Sequence, residues 1–360
     1  MNGEMLDSIK KLDFLEKKKY YEYNADVESV LVWGRHYDVD PMVTVVCPTY
    51  RRPDLLEIAI YSVLNQKGYD NYQMLIIDNE DVFDEETETE KLIKKINSDK
   101  IIYYRNRKNI GVYANWNRGM LLARSKYICI MNDDDVLMLN HLNVMMGTIL
   151  CNEDIDMLGC IHQHMYLKNN PDLDVYKVMQ PVDTSNMSVN KISYFDFNIS
   201  FTYPILGSVM KKETFLDIGG IRTDYFIACE DYGFAIKLAY HSNFYVINKK
   251  LYGYYWGANL SLKPEIWEPS LVYEYYIYRS IALNRPKKVR KIFLKRSKYA
   301  IIDLVKRFNN GTSPSMVPCA IDPKVIVAET DIKHFRYFKP YKKYITHRAR
   351  KLDYKYRYTD

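Results

Sequence analysis

Three consecutive carboxylates, Asp133, Asp134 and Asp135, follow closely on the apolar run Tyr127-Ile128-Cys129-Ile130-Met131. A short apolar run bounded by polar residues reads as a buried strand, which puts these acids at its carboxyl end, the edge of an open α/β sheet where ligands bind. Adjacent anions repel one another, so a cation or a donor-rich ligand must offset their charge. Hard carboxylate oxygens favour Mg²⁺ or Mn²⁺, ions that keep positions open for phosphate oxygens. The plainer alternative is a solvated acidic turn capping the helix expected from Leu139, since Asp is common at caps and turns.

Other polar groups gather at neighbouring segment ends. The loop Cys47-Pro48-Thr49-Tyr50-Arg51-Arg52-Pro53 leaves a β-branched run and enters a helix. Thr49 can offer a hydroxyl, Tyr50 a flat face for a base, and the helix N-terminus a positive end for an anion. No GxxxxGK or GxGxxG stands here, so neither a P-loop nor a dinucleotide fingerprint is supported. Asp78-Asn79 ends the next apolar run, where a carboxylate can accept from a uracil N–H or from ribose hydroxyls; as a lone pair these are also ordinary turn formers. Asn109-Ile110-Gly111 then opens a helical stretch holding Asn115, Asn117 and Gly119. Asn and Gly are poor helix formers, and close backbone approach or polar contact with a ligand would explain their concentration, as would a strained helix start.

Alternating strand-like and helix-like stretches must position these residues. Strands are expected over 42–47, 74–77, 101–104 and 127–131, with helices from Pro53 and over 84–96, 112–123 and 139–150. Single helices between strands imply a largely parallel sheet covered on both faces. Further on, strands are expected over 157–165 and 205–210, a loop over 168–191, a helix over 229–240, and helices around 271–283 and 292–308. The expected organisation is an N-terminal helical extension over 1–41, a central α/β domain over 42–262 divided at 150 into a nucleotide-binding and an acceptor half, and a basic, Tyr-rich helical extension over 263–360.

The runs VTVVCPTYRRPDLLEIAIYSVLNQ, LIIDNED and NIGVYANWNRGMLLARSKYICIMNDDDVL, in that order, resemble the donor-binding half of the family 2 glycosyltransferases, and ILGSVMKKETFLDIGGIRTDYFIACEDYGFAIKLAYHSNFYVI continues the likeness to about Trp256. The resemblance implies the GT-A fold, a mostly parallel α/β sheet flanked by helices. It implies inverting transfer from a nucleotide-sugar, with UDP the expected nucleotide, to a glycan or lipid-linked acceptor in surface polysaccharide synthesis. Asp133 and Asp135 match the DxD element that carries Mn²⁺ or Mg²⁺, and Asp133 and Asp134 are expected beside the donor. Pro48, Thr49, Tyr50, Asp78, Asn79, Asn109, Gly111 and Asn115 are expected around the nucleotide-sugar, although Asn79 stands where many members have a second Asp and Asn115 where a small residue is usual. Asp231 matches the catalytic base, with Glu230 beside it. Neighbouring acids push their titrations apart while a helix N-terminus favours the ionised form, so one carboxylate should be available near neutral pH. Gly207 and Trp256 are expected on the acceptor side, where Trp256 could stack on a sugar or equally fill the core.

Composition excludes several other classes. A chain of 360 residues with 48% hydrophobic and 27% charged residues is globular rather than disordered. No apolar run approaches a bilayer span, and the N-terminus lacks the apolar core of a secretory signal, so a cytoplasmic location is expected. The six cysteines form no CxxC pair and are expected as reduced thiols. The net charge of +6 is concentrated in Lys287 to Lys298 and Lys333 to Arg357, the latter interleaved with tyrosine. Such a tail suits the anionic inner face of the cell membrane, with a solvated helical subdomain as the alternative; no nucleic-acid module accompanies it, so no nucleic acid partner is expected. The competing functions are a catalytically silent glycan-binding or scaffolding subunit, and a sugar nucleotidyltransferase, which would show a glycine-rich phosphate loop in place of PTYRRP.

Overall fold

The apolar runs pair in the order that βαβ units dictate. The computed structural model describes residues 3–166, 175–198, 205–224, 230–256, 264–310 and 338–356. Among them, one sheet contains β1 (Ser29–Trp33), β2 (Val43–Thr49), β3 (Tyr72–Asp78), β4 (Ile101–Asn106), β5 (Tyr127–Ile130), β6 (Val136–Leu137), β7 (Met157–Tyr166), β8 (Val189–Ile192), β9 (Val209–Lys211) and β10 (Phe244–Trp256). The helices are α1 (Gly3–Lys11), α2 (Pro53–Leu64), α3 (Glu88–Ile96), α4 (Val112–Leu122), α5 (His141–Leu150), α6 (Val175–Val178), α7 (Lys212–Ile218), α8 (Glu230–His241), α9 (Pro264–Leu283), α10 (Lys287–Asn310) and α11 (Phe338–Tyr356).

The strand order is β1-β4-β3-β2-β5-β9-β7-β10-β6, with β8 also on β10. β4, β3, β2 and β5 run parallel, so Thr49, Asp78 and Asn106 finish on one edge and the chain leaves β5 toward Asp133 on that same edge. Every residue of β2, β3, β4 and β5 is buried, as expected for strands covered on both faces. Pro48 is tolerated in central β2 because pairing with β5 ends at Val46, leaving only β3 beside it. β9 lies antiparallel between β5 and β7 and joins the donor-side strands to the second half of the sheet. One apolar core runs from Ile9 to Val305.

Several boundaries differ from the sequence expectation. Residues 1–41 are not simply helical: β1 closes the sheet edge antiparallel to β4, with Ser29 opposite Asn106, and Arg118 donates to the carbonyls of Asn24 and Val27 just before it. α3 begins at Glu88 rather than at residue 84, because Thr87 caps it by accepting from the Glu90 N–H at 3.2 Å. α5 begins at His141, since the Asn140 side chain is engaged with the Val182 backbone instead of a helix. The loop expected over 168–191 contains α6 and leads into β8, with 167–174 outside the described residues. The strand expected over 205–210 is the shorter β9, preceded by a turn in which the Ser208 N–H donates to the Ile205 carbonyl.

α9, α10 and α11 form the expected C-terminal helices, packed through Ala282, Val289, Phe293 and Ala349. No helix among the described residues is long and apolar enough to cross a membrane. Cys47, Cys129 and Cys160 are buried free thiols and Cys151 is exposed, while Cys229 and Cys319 lie outside the described residues.

Candidate active site

The site is built on the strand ends. Thr49, the last residue of β2, is buried and donates its hydroxyl to Asp133 Oδ2 at 2.8 Å. Pro53 pre-sets the first turn of α2, which leaves Arg52 at its N-cap with the guanidinium turned across the acids. Arg52 Nη1 donates to Asp133 Oδ1 at 2.9 Å and Nη2 to Asp134 Oδ2 at 2.8 Å. Asp135 is fully buried and held by a different set of donors: the Tyr252 hydroxyl at 2.7 Å, the Tyr255 N–H at 2.8 Å and Asn132 Nδ2 at 3.1 Å. The two tyrosines arrive because β10 pairs antiparallel with β6, directly after the triplet.

Burial dominates the electrostatics. It raises the Asp133 carboxyl to about 7 against the opposing pull of Arg52, raises Asp134, and lifts Asp135 well above the carboxylate range, with Asp134 adding to the last shift. Desolvated acids of this kind gain from any cation placed among them. The donor set consists of hard oxygens and suits Mg²⁺ or Mn²⁺. No three acidic groups converge on one point among the described residues, but such ions need only one or two carboxylates when substrate phosphates complete the shell. Asp133 and Asp134 would hold such an ion on the Arg52 side of the loop; Asp135, expected beside Asp133 as a metal ligand, is fully buried with both oxygens engaged by donors, and fixes the backbone behind them.

The expected nucleotide-side residues fall into two groups. Asp78 is buried, accepts from the Tyr103 hydroxyl and the Glu80 N–H at 2.9 Å each, and is raised by burial to about 6. Tyr50 is 40% exposed, with the Arg51 guanidinium 5.2 Å from its ring centre, and Arg51 in turn pairs with Glu80 across the β2 and β3 loops. Tyr50 and Arg51 line the open edge, with Asp78 buried behind them. Asn79 and Asn115, in contrast, are structural ties. Asn106 Nδ2 donates to Asn79 Oδ1 at 2.9 Å and to Asn115 Oδ1 at 2.8 Å, while Asn115 Nδ2 donates to the Ile77 carbonyl at 3.0 Å. Asn79 Nδ2 reaches the Gly111 carbonyl at 3.1 Å, so three asparagines hold the ends of β3 and β4 to the start of α4. This network accounts for asparagine at both departures from the family pattern: each amide donates to a backbone carbonyl and accepts from Asn106. Asn109 accepts from the Gly111 N–H at 2.9 Å, and Gly111 takes φ 84° with open space where a Cβ would stand.

Glu230 and Asp231 open α8 but face different surroundings. Glu230 is 1% exposed, accepts from the Tyr273 hydroxyl at 2.7 Å, and lies with Phe14, Tyr20, Arg222 and Lys237 on the side of the N-terminal segment. Burial lifts it to about 8. Asp231 keeps partial exposure and is raised by desolvation to about 6, its Oδ1 accepting from the Tyr232 N–H at 2.8 Å. Burial first, and then the charges of Asp135, Asp231 and Asp134, raise the Tyr254 phenol on β10 well above its usual range. Gly207, with φ 69°, packs on the same strand: a Cβ there would stand 2.4 Å from the Tyr252 ring. Its role is to let Tyr252 reach Asp135. Trp256 ends β10, and its side chain lies outside the described residues.

Sequence reasoning missed Arg52, Asn132, Tyr252 and Glu274 as site residues. Arg52 stood inside a motif already singled out, and an arginine two residues after Tyr50 facing three acids was the available signal. Glu274, buried on α9 and accepting from the Tyr278 hydroxyl at 2.8 Å, is raised to about 7 by burial, with the Asp231 charge adding to the shift; nothing in its local sequence marks it.

Comparison with known proteins agrees with this geometry. The family described as Glycosyl transferase family 2 matches residues 44–183. An uncharacterized glycosyltransferase of Methanocaldococcus jannaschii is 32% identical over 121 residues, 33% of this chain and 40% of the relative. A GalNAc(5)-diNAcBac-PP-undecaprenol beta-1,3-glucosyltransferase of Campylobacter jejuni is 30% identical over 107 residues, 29% of this chain and 34% of the relative. The chain thus matches well under half of the length of these relatives. Among solved structures, TarS 1-349 of S. aureus in complex with UDP-GlcNAc superposes with a TM-score of 0.52 at 13% identity, covering 88% of this chain and 91% of that one, a likeness of fold. Residues 44–183, which carry the β2–β5 sheet edge and its acidic triplet, thus match glycosyl transferase family 2, and the chain as a whole has the GT-A fold.

Proposed function

We propose that the chain is a metal-dependent, inverting glycosyltransferase that moves a sugar from a nucleotide-sugar, UDP-linked, to a glycan or lipid-linked acceptor in surface polysaccharide synthesis. The observation that carries this reading is the buried acidic triplet at the carboxyl edge of the parallel sheet, tied to Thr49 at the end of β2 and to Arg52 at the start of α2. Support for the donor class comes from S. aureus TarS, solved with UDP and with UDP-GlcNAc, and for a lipid-linked acceptor from the C. jejuni relative, a glucosyltransferase acting on an undecaprenol-linked glycan.

In this reading Tyr50 receives the nucleoside at the open edge, with Asp78 buried behind it. Asp133 and Asp134 would hold a divalent ion, which when bound supplies charge stabilisation for the departing diphosphate. Asp135 is a positioning residue, pinned by Tyr252 and Tyr255. Asp231 takes the proton of the incoming hydroxyl on the face opposite the leaving group, so the anomeric centre inverts without a covalent intermediate. Glu230, buried beside Tyr273, sets the first turn of α8 and hence the direction of Asp231.

A thermal-shift series with UDP, GDP, CDP and dTDP, with and without Mn²⁺, tests the donor site. Ligand that binds only the folded chain raises its apparent stability, by about 2.7 kcal/mol at a hundredfold excess over Kd. The expected result is a metal-dependent shift with UDP; no shift with any of the four overturns the reading.

The location proposed is cytoplasmic and peripheral at the inner membrane face. α10 and α11 carry sixteen Lys and Arg against two Asp, and each basic residue near an anionic leaflet adds about 1 kcal/mol of attraction. Flotation with vesicles containing anionic lipid should recover the protein, and neutral vesicles should not. Equal recovery in both would remove the membrane assignment.

A further inference from the structure

We propose that Arg52 is an internal counter-cation that competes with the divalent ion for Asp133 and Asp134, so that the ion binds strongly only together with a diphosphate able to take Arg52 over. The inference rests on the donor-site reading above and adds to it a coupling residue.

The geometry carries it. Arg52 spreads its fork over two carboxylates, one nitrogen to each, rather than gripping one of them bidentately. Those carboxylate side chains are 7% and 4% exposed, whereas Arg52 is 29% exposed and reaches them from the open side of the loop. Asp133 has its second oxygen engaged by Thr49, which leaves the Arg52-facing oxygen as the one to offer an ion. A divalent ion and a guanidinium cannot share that oxygen at contact distance without strong like-charge repulsion. Arg52 also has a ready alternative partner, because its planar donors match a phosphate as well as a carboxylate. It is the N-cap residue of α2, and a helix start favours an anion. A diphosphate at that helix start would draw Arg52 off the acids and free them for the ion. The two binding events then help each other, and linkage makes the help equal in both directions.

The consequence differs from what a merely structural ion pair would give. Removing a structural pair weakens everything that depends on the loop. Removing a competitor strengthens ion binding when nucleotide is absent.

Mn²⁺ uptake can be followed by the loss of the free-ion electron paramagnetic resonance signal, on the full chain with and without UDP, which needs no turnover. For the wild type, UDP should tighten Mn²⁺ binding by about tenfold to a hundredfold. In Arg52→Gln, Mn²⁺ alone should bind tighter than in the wild type, and the gain from UDP should shrink by the same factor. Arg52→Lys keeps a charge but cannot span both acids, so it should fall between the two; it also serves if the glutamine variant fails to fold. Arg107→Gln, a surface residue paired with Glu28, controls for general loss of positive charge and should behave as wild type. The proposal is overturned if Mn²⁺ alone binds Arg52→Gln or Arg52→Lys no more tightly than the wild type, or if the UDP-dependent gain is unchanged. If the wild type itself takes up no Mn²⁺ in the presence of UDP, the metal-dependent donor site fails and the proposal with it; UDP-supported uptake in the wild type with unchanged variants rejects the Arg52 proposal alone.

Discussion

Asp231→Asn is expected to lower kcat by about a hundredfold to ten-thousandfold, the usual contribution of a positioned base, while leaving the metal-dependent UDP shift in melting unchanged. The amide keeps the volume and the hydrogen bond from the Tyr232 N–H, so the loss reports proton acceptance rather than folding. Glu230→Gln separates the two neighbours. Glu230 is raised to about 8 and is therefore mostly protonated near neutral pH, so its amide should retain most of the turnover. The pH profile supplies a second check. Desolvation lifts Asp231 to about 6, and a base works only when ionised, so turnover should be full above that value and fall tenfold per unit as pH drops below it. An Asp231→Asn variant that turns over like the wild type would transfer the base role elsewhere, with Glu274 the next buried acid in line.

The donor half was legible because its signals are local. β2, β3, β4 and β5 are short runs rich in Val, Ile and Leu between helical stretches, and each strand end carries the polar group that its neighbours converge on. Asp133 to Asp135 could be placed at the edge from that pattern alone. What could not be read is pairing between distant segments. Ser29–Trp33 gives no strong alternation and becomes a strand only because β4 offers it a partner more than seventy residues later. Tyr252 and Tyr255 meet Asp135 through β10, whose Lys249-Lys250 interruption sits at an irregularity in its register with β7. The asparagines of α4 read as ligand-directed because their type is unusual in a helix; their partners are Asn106 and the Ile77 carbonyl for Asn115 and the Ile221 backbone for Asn117. Residue type gave the need for hydrogen bonds at those positions, and only the fold could say which groups met it.

Asp135→Ala is expected to abolish detectable transfer and to destabilise the chain, and the two effects have separate causes. The carboxylate accepts from three donors, the Tyr252 hydroxyl, the Tyr255 N–H and Asn132 Nδ2, and all three would be left facing an apolar methyl. A buried donor stranded in this way costs about 1–3 kcal/mol, so a stability loss of several kcal/mol should appear in urea unfolding. Asp135→Asn is the informative companion. Its amide oxygen can take the place of Oδ2 and keep the bonds from the Tyr252 hydroxyl and Asn132 Nδ2, but its NH₂ then meets the Tyr255 N–H donor to donor, and the loop carrying Asp133 and Asp134 loses that tie to β10. Ion-dependent nucleotide binding should therefore weaken in Asp135→Asn even where the chain remains folded at the assay temperature. A scaffolding or glycan-binding subunit predicts something different: both variants would keep acceptor binding in proportion to their folded fraction, and no nucleotide- or metal-dependent quantity would change. Measuring unfolding, UDP-dependent Mn²⁺ uptake and sugar transfer on the same preparations separates these outcomes, because only the enzyme makes transfer fall further than the folded fraction does.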